Sequence, residues 1–95
     1  MADQLARATA FKALHERDRP FLIPNPWDGG TTRLLESLGF EALATTSLGV
    51  SITLGRGRST AEQILDNVRV VCDATSLPVN ADLEDCFATA PNEAA

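Results

Sequence analysis

The sequence predicts an α/β fold built on a parallel sheet. Short apolar runs that suit strands alternate with longer stretches of helical period, and Gly and Pro punctuate the joints between them. The order is helix, then β-α-β-α-β, then the start of another helix, which implies right-handed crossovers between parallel strands.

The first helix is expected over Gln4–Arg17, where Leu5, Ala8, Phe11 and Leu14 recur at steps of three in a background of good helix formers. Pro20 closes it. Phe21-Leu22-Ile23, between Pro20 and Pro24, reads as a short strand buried on both faces. Thr31–Leu38 is the next helix, with Leu34, Leu35 and Leu38 on one face and Gly39 placed to end it in a left-handed conformation. Ala42–Thr46 is a second strand, and Ser47–Arg58 a loop. Ser59 and Glu62 form a capping-box pattern, and Ala61, Ile64, Leu65, Val68, Val71 and Cys72 then trace the apolar stripe of an amphipathic helix. Pro78–Asp82 completes the strands, and Pro91–Ala95 begins a helix.

Composition narrows the class. With 44% hydrophobic and 22% charged residues, the 95-residue chain is neither a disordered tail nor a fibrous repeat. A net charge of −5 argues against nucleic acid and against an anionic membrane surface. No apolar run approaches the roughly 20 residues that span a bilayer, and Met1–Lys12 lacks the apolar core of a signal peptide. A cytoplasmic location is the expectation. Cys72 and Cys86 lack Cys-x-x-Cys spacing and, with one His, do not make the usual structural zinc site, so reduced thiols are expected.

Three parallel strands with helices on one side leave a sheet edge and a sheet face open. The fold is therefore expected to be incomplete. Active sites of parallel α/β folds collect at the carboxyl ends of the strands, which directs attention to Asn25–Gly30, Thr45–Arg58 and Asp82–Ala88.

Read together, these segments resemble the isocitrate lyase/phosphoenolpyruvate mutase superfamily. Pro24-Asn25-Pro26-Trp27-Asp28-Gly29-Gly30-Thr31-Thr32-Arg33-Leu34-Leu35 is similar to its first strand-to-helix junction. Leu38–Ser47 is similar to its second strand, Leu54-Gly55 to the Leu-Gly that follows, and Pro78–Asp85 to its third strand with an acidic pair at the end. The resemblance covers roughly Phe11 to Ala94. It implies that residues 1–95 are a single partial domain, the first three strands of a (β/α)8 TIM barrel of about 250 residues, preceded by a helix and inactive alone.

It also implies Mg²⁺-dependent cleavage or rearrangement of C–C or C–P bonds in small α-oxo or 2-hydroxy carboxylates. Asp82 and Glu84 are then the metal-side residues, Asp82 directly and Glu84 through water, placed on one side by strand alternation. Thr46, Ser47 and Gly49 would hold the substrate carboxylate, and Asp28 would lie near the site mouth.

The chain departs from the family pattern in two places. Arg56-Gly57-Arg58 stands where the family carries an acid near the metal's water shell, and an Arg there would repel a cation or turn to the substrate. Cys86-Phe87-Ala88 replaces a Gly-aromatic-Gly turn that can require positive φ.

Plainer readings stand beside these. Asp82 and Glu84 are also what a solvated strand end looks like, and Thr46–Gly49 what a simple turn looks like. Trp27 and His15 read as packing or surface residues. Two other functions fit the sequence: a non-catalytic α/β module that forms homo-oligomers through its bare edge, and an anion-binding module using Arg56 and Arg58.

Overall fold

The central strand gives its amide hydrogens alternately to two sides. Leu43–Ala44 (β1) pairs in parallel with Val79–Asn80 (β2), in the register Leu43 to Val79 and Ala44 to Asn80. The Leu43 and Thr45 amides donate to the carbonyls of Pro78 and Asn80 (3.0 and 2.9 Å), while the Ala44 amide turns the other way, to the carbonyl of Pro24 (3.0 Å). This computed structural model describes residues 2–88, so the helix expected from Pro91 lies outside the described residues.

The segment Phe21–Ile23 lies beside β1 but is not a strand, and proline explains why. In a parallel ladder the Ala44 carbonyl should accept from the amide of residue 26, two positions past the acceptor Pro24. Residue 26 is a proline and has no N–H. The side-chain amide of Asn25 donates to the Ala44 carbonyl instead (2.9 Å). A side chain thus completes an edge that the backbone cannot.

Among the described residues, four helices pack around this short sheet. The first, Ala2–His15 (α1), ends before the constraint of Pro20 is felt. Its expected apolar stripe is only partly used: Leu14 is buried, whereas Leu5 is 70% exposed. Arg7 does more to dock the helix, its guanidinium donating to the carbonyls of Cys72 (3.1 Å) and Thr75. His15 packs edge-on between Phe11 and Phe21, with ring centroids 4.6 and 5.0 Å away.

Gly29–Ser37 (α2) is capped by Asp28 and followed by Gly39 at φ +93°, the left-handed closure expected from the sequence. Its buried residue is Thr32, whose hydroxyl donates to the Asp28 carbonyl (2.6 Å). Leu34 and Leu38 are exposed, so the predicted Leu face is not the packed one.

The segment after β1, expected as a loop, contains the helix Ser47–Thr53 (α3), with Thr46 as its N-cap. Side-chain capping and the burial of Val50 and Ser51 allow seven residues to hold this helix.

Ala61–Asp73 (α4) buries Ile64 and Val71, seven positions apart on one face, while Leu65 stays half exposed. Its cap is one residue later than the sequence suggested. Thr60 and Gln63 form both halves of the capping box. Ser and Thr are adjacent at 59 and 60, and Glu and Gln at 62 and 63, so the pattern fits two registers. Burial decides: the Ser59 hydroxyl is 2.9 Å from that of Ser51 in the interior, which leaves Thr60 to cap.

The core is the Ala42-Leu43-Ala44 run under Val50, Ile64, Val71 and Leu14. β2 is half covered at Val79 and exposed at Asn80, so the sheet's open side lies there, as the strand count implied. Beside it runs a groove of about 470 Å³ floored by Arg7, Phe11, Cys72, Pro78 and Val79. Among the described residues, no helix is long and apolar enough to cross a membrane.

The repair at Asn25 can be measured. Asn25→Ala leaves the buried Ala44 carbonyl without its partner, at an expected cost of about 1–3 kcal/mol. Urea unfolding should show this as a lower midpoint at unchanged slope.

Candidate active site at the strand ends

The carboxyl ends of β1 and β2 are joined by side chains. Thr45, buried at the end of β1, accepts the Asp82 amide at its hydroxyl (2.8 Å). That contact fixes the backbone of Asp82 two residues beyond β2. The Asp82 carboxylate then reaches back: its Oδ2 accepts from the Ser47 hydroxyl (3.0 Å) and, more weakly, from the Ser47 amide (3.4 Å). Its Oδ1 accepts the Glu84 amide (3.0 Å). The backbone donor at Glu84, joined by the Ser47 hydroxyl and amide, holds the carboxyl below its ordinary range against the opposing effect of burial. Asp82 is therefore an ionised, oriented and solvent-accessible carboxylate.

Glu84 is placed otherwise than strand alternation predicts. β2 ends at Asn80, and Glu84 sits in a turn at φ +54°. Its carboxylate faces Arg58, with 3.5 Å from Arg58 Nε to Oε1. Arg58 Nη2 also lies 3.7 Å from Asp85, and its guanidinium covers the Phe87 ring at 5.1 Å. Arg58 is thus engaged with acids of this chain, the partner that the loop sequence Gly55–Ser59 left open.

The remaining expected residues fall into local roles. The Thr46 hydroxyl accepts the Gly49 amide (3.1 Å) as the cap of α3. Gly49 has a packing reason to lack a side chain, because a Cβ there would come within 2.6 Å of Thr46 Cγ2 and 3.4 Å of Trp27 Cβ. Asp28 Oδ1 accepts from the amide and hydroxyl of Thr31 (2.7 Å each), which lowers its pKa. Asp28 shares no hydrogen bond with the Asp82 group among the described residues. Ser47 and Asp82 are the predicted pair that the structure brings into direct contact.

Thr45 and Arg58 complete the arrangement and were not assigned these roles from sequence. Thr45 carried a faint signal, since alternation along Leu43, Ala44 and Thr45 turns its amide toward β2. The Arg58 contacts depend on how two loops meet.

Magnesium takes oxygen ligands and keeps several waters, so one or two carboxylates suffice. An ionised Asp82 fits that requirement. Glu84 is turned to Arg58, and among the described residues no three His, Cys, Asp or Glu side chains gather closely enough to share a metal.

Parallel strands with polar groups converging beyond their carboxyl ends define an α/β protein of the kind that works at its strand ends. The chain belongs to the phosphoenolpyruvate phosphomutase family, whose model matches residues 11–95. The similar solved structures agree. A candidate lyase/mutase from Burkholderia cenocepacia J2315 is 46% identical with a TM-score of 0.94, over 99% of this chain and 34% of that one. A candidate phosphonomutase from the same organism is 30% identical with a TM-score of 0.84, over 93% and 35%. A 2,3-dimethylmalate lyase of the PEP mutase/isocitrate lyase superfamily is 29% identical with a TM-score of 0.69, over 81% and 29%. An uncharacterized protein of Mycobacterium tuberculosis, matched in two strains, is 31% identical over 85 residues. The chain spans about a third of the length of these curated relatives.

Two measurements probe the site's local chemistry. Cys86 stands at φ +61°, where an L-residue is disfavoured by about 1–2 kcal/mol. Cys86→Gly should raise the melting temperature by several degrees. Asp28 and Asp82 have folded pKa values below their ordinary ones, so their contribution is complete above the unfolded value and disappears as pH falls through the folded one. The melting temperature should drop as pH is lowered from about 4, and less steeply in Asp28→Asn.

Proposed function

We propose that this chain forms the first β-α-β-α-β portion of a (β/α)8 barrel in a Mg²⁺-dependent lyase or mutase acting on small α-oxo or 2-hydroxy carboxylates. The observation that carries the reading is the ionised Asp82 carboxylate, oriented at one strand end by Ser47 from the neighbouring strand end. Family membership and the 46% identical lyase/mutase support it.

Asp82 would be the direct ligand, with Glu84 contributing through water. When bound, the metal supplies Lewis-acid polarisation of the substrate's oxo and carboxylate oxygens. Ser47 holds Asp82 in place, as groups that orient a metal ligand do. The Thr46–Gly49 turn lies beside that carboxylate. Ser47 donates to Asp82 and the Gly49 amide to the Thr46 hydroxyl, so holding an anionic substrate carboxylate there would redirect these donors. Asp28, which shapes the start of α2, borders the mouth. The remaining strands of the barrel would complete the pocket, and a third of a barrel alone would be inactive. A cytoplasmic protein that binds neither nucleic acid nor membrane is consistent with the acidic composition. The rival, a non-catalytic module that forms homo-oligomers, would use the open sheet edge instead. An anion-binding role for Arg58 is less favoured, because its guanidinium is already paired with Glu84 and Asp85.

The test is turnover of a panel of 2-hydroxy, oxo and phosphono acids by the intact protein purified from its natural source, with Mg²⁺, followed as released α-oxo acid or as rearranged product. Asp82→Ala should abolish release, and Ser47→Ala should reduce it by about 10- to 100-fold. Intact wild-type protein that neither releases an α-oxo acid from nor rearranges any member of the panel would overturn the reading.

A further inference from the structure

We infer that Arg58 is an internal counter-ion for the acidic turn and competes with a divalent cation for Glu84 and Asp85. The inference rests on the proposed metal role of Asp82, and it adds a residue that sets how tightly this chain takes the ion.

Asp82, Glu84 and Asp85 place three carboxylates within four residues. Arg58 is the cation that meets two of them, at 3.5 and 3.7 Å, from a different loop. Its guanidinium lies over the ring of Phe87, itself at φ +54°. The turn bends through left-handed residues at Glu84, Cys86 and Phe87, none of them glycine. This bend directs the Glu84 carboxylate to Arg58. An extended backbone would instead put Glu84 on the same side as Asp82. Two arrangements of one turn are therefore at hand. In one, Arg58 neutralises Glu84 and the Glu84 amide braces Asp82. In the other, Arg58 is released and Glu84 joins Asp82.

The contact is suited to opening. The Arg58 side chain is 60% exposed, and ion pairs that wet are weak and reversible. A divalent ion carries twice the charge of a guanidinium, so it can displace Arg58, though at reduced affinity while that positive charge stays close.

Binding of Mn²⁺, read by the electron paramagnetic resonance of the free ion, tests this on the intact protein produced in its natural source. Arg58→Gln should bind Mn²⁺ about tenfold more tightly than wild type. Arg56→Gln removes the same charge from a neighbour that has no carboxylate contact among the described residues and should stay within about twofold. Arg58→Met keeps an unbranched, uncharged side chain of similar reach and should repeat the gain if Arg58→Gln does not fold. Independently of any variant, Mg²⁺ should shift the Arg58 Nε–H resonance of ¹⁵N-labelled wild type. Measurable wild-type binding that Arg58→Gln or Arg58→Met leaves unchanged, or an unmoved Arg58 resonance at saturating Mg²⁺, would overturn the competition and leave the metal reading standing. Absence of Mn²⁺ binding in wild type and variants alike would overturn both.

Discussion

The hydrogen bonds of three consecutive residues, Leu43, Ala44 and Thr45, hold this structure together. Their amides alternate between the β2 side and the Pro24 side, so one buried strand fixes the position of both neighbours. Packing follows from that geometry. Ala42, Leu43 and Ala44 are buried, so α4 and α3 lay Ile64, Val71 and Val50 over a surface already set in register. A slip of one residue would turn these side chains to the opposite face.

The same strand leads directly into the chemistry. Its next residue, Thr45, takes the Asp82 amide on its hydroxyl. Two residues further, Ser47 takes the Asp82 carboxylate. A backbone register is thereby converted into the orientation of an ionised side chain. The arrangement costs little, because the Thr45 hydroxyl, the Ser47 hydroxyl and both Asp82 oxygens have partners and Asp82 still meets solvent. The acidic turn beyond Asp82 is different in kind. It holds non-glycine residues at positive φ and depends on an exposed Arg from another loop, so it is the part of the site most able to change shape.

Much of this was legible in the residues. Gly39 announced its left-handed closure, the stripe through Ile64 and Val71 announced α4, and the alternation of elements announced a parallel sheet. The Asp82 and Ser47 motifs lay at the two strand ends where a parallel fold gathers its polar groups. Replacement of a family glycine by Cys86 flagged a position that does take positive φ. Other features were not legible because they depend on competition between equivalent local choices. Ser59 and Thr60 both suit a cap, and only burial beside Ser51 separates them. Leu34 and Leu38 look like core, but Thr32 faces inward. Phe21–Ile23 has the composition of a strand, but Pro26 removes the amide that would have completed the ladder.

The sequence by itself determined the principal helices, the parallel sheet and the residue types at the strand ends, because these follow from local periodicity, turn chemistry and spacing. Its motifs carried the resemblance to the family. Only the tertiary structure decided which partner each polar side chain takes. Asn25 finds a carbonyl 19 residues away, Ser47 a carboxylate 35 residues away, and Arg58 an acid 26 positions on. Contacts at such separation exist only once the strands have set the loops side by side, and no local pattern in the chain encodes them.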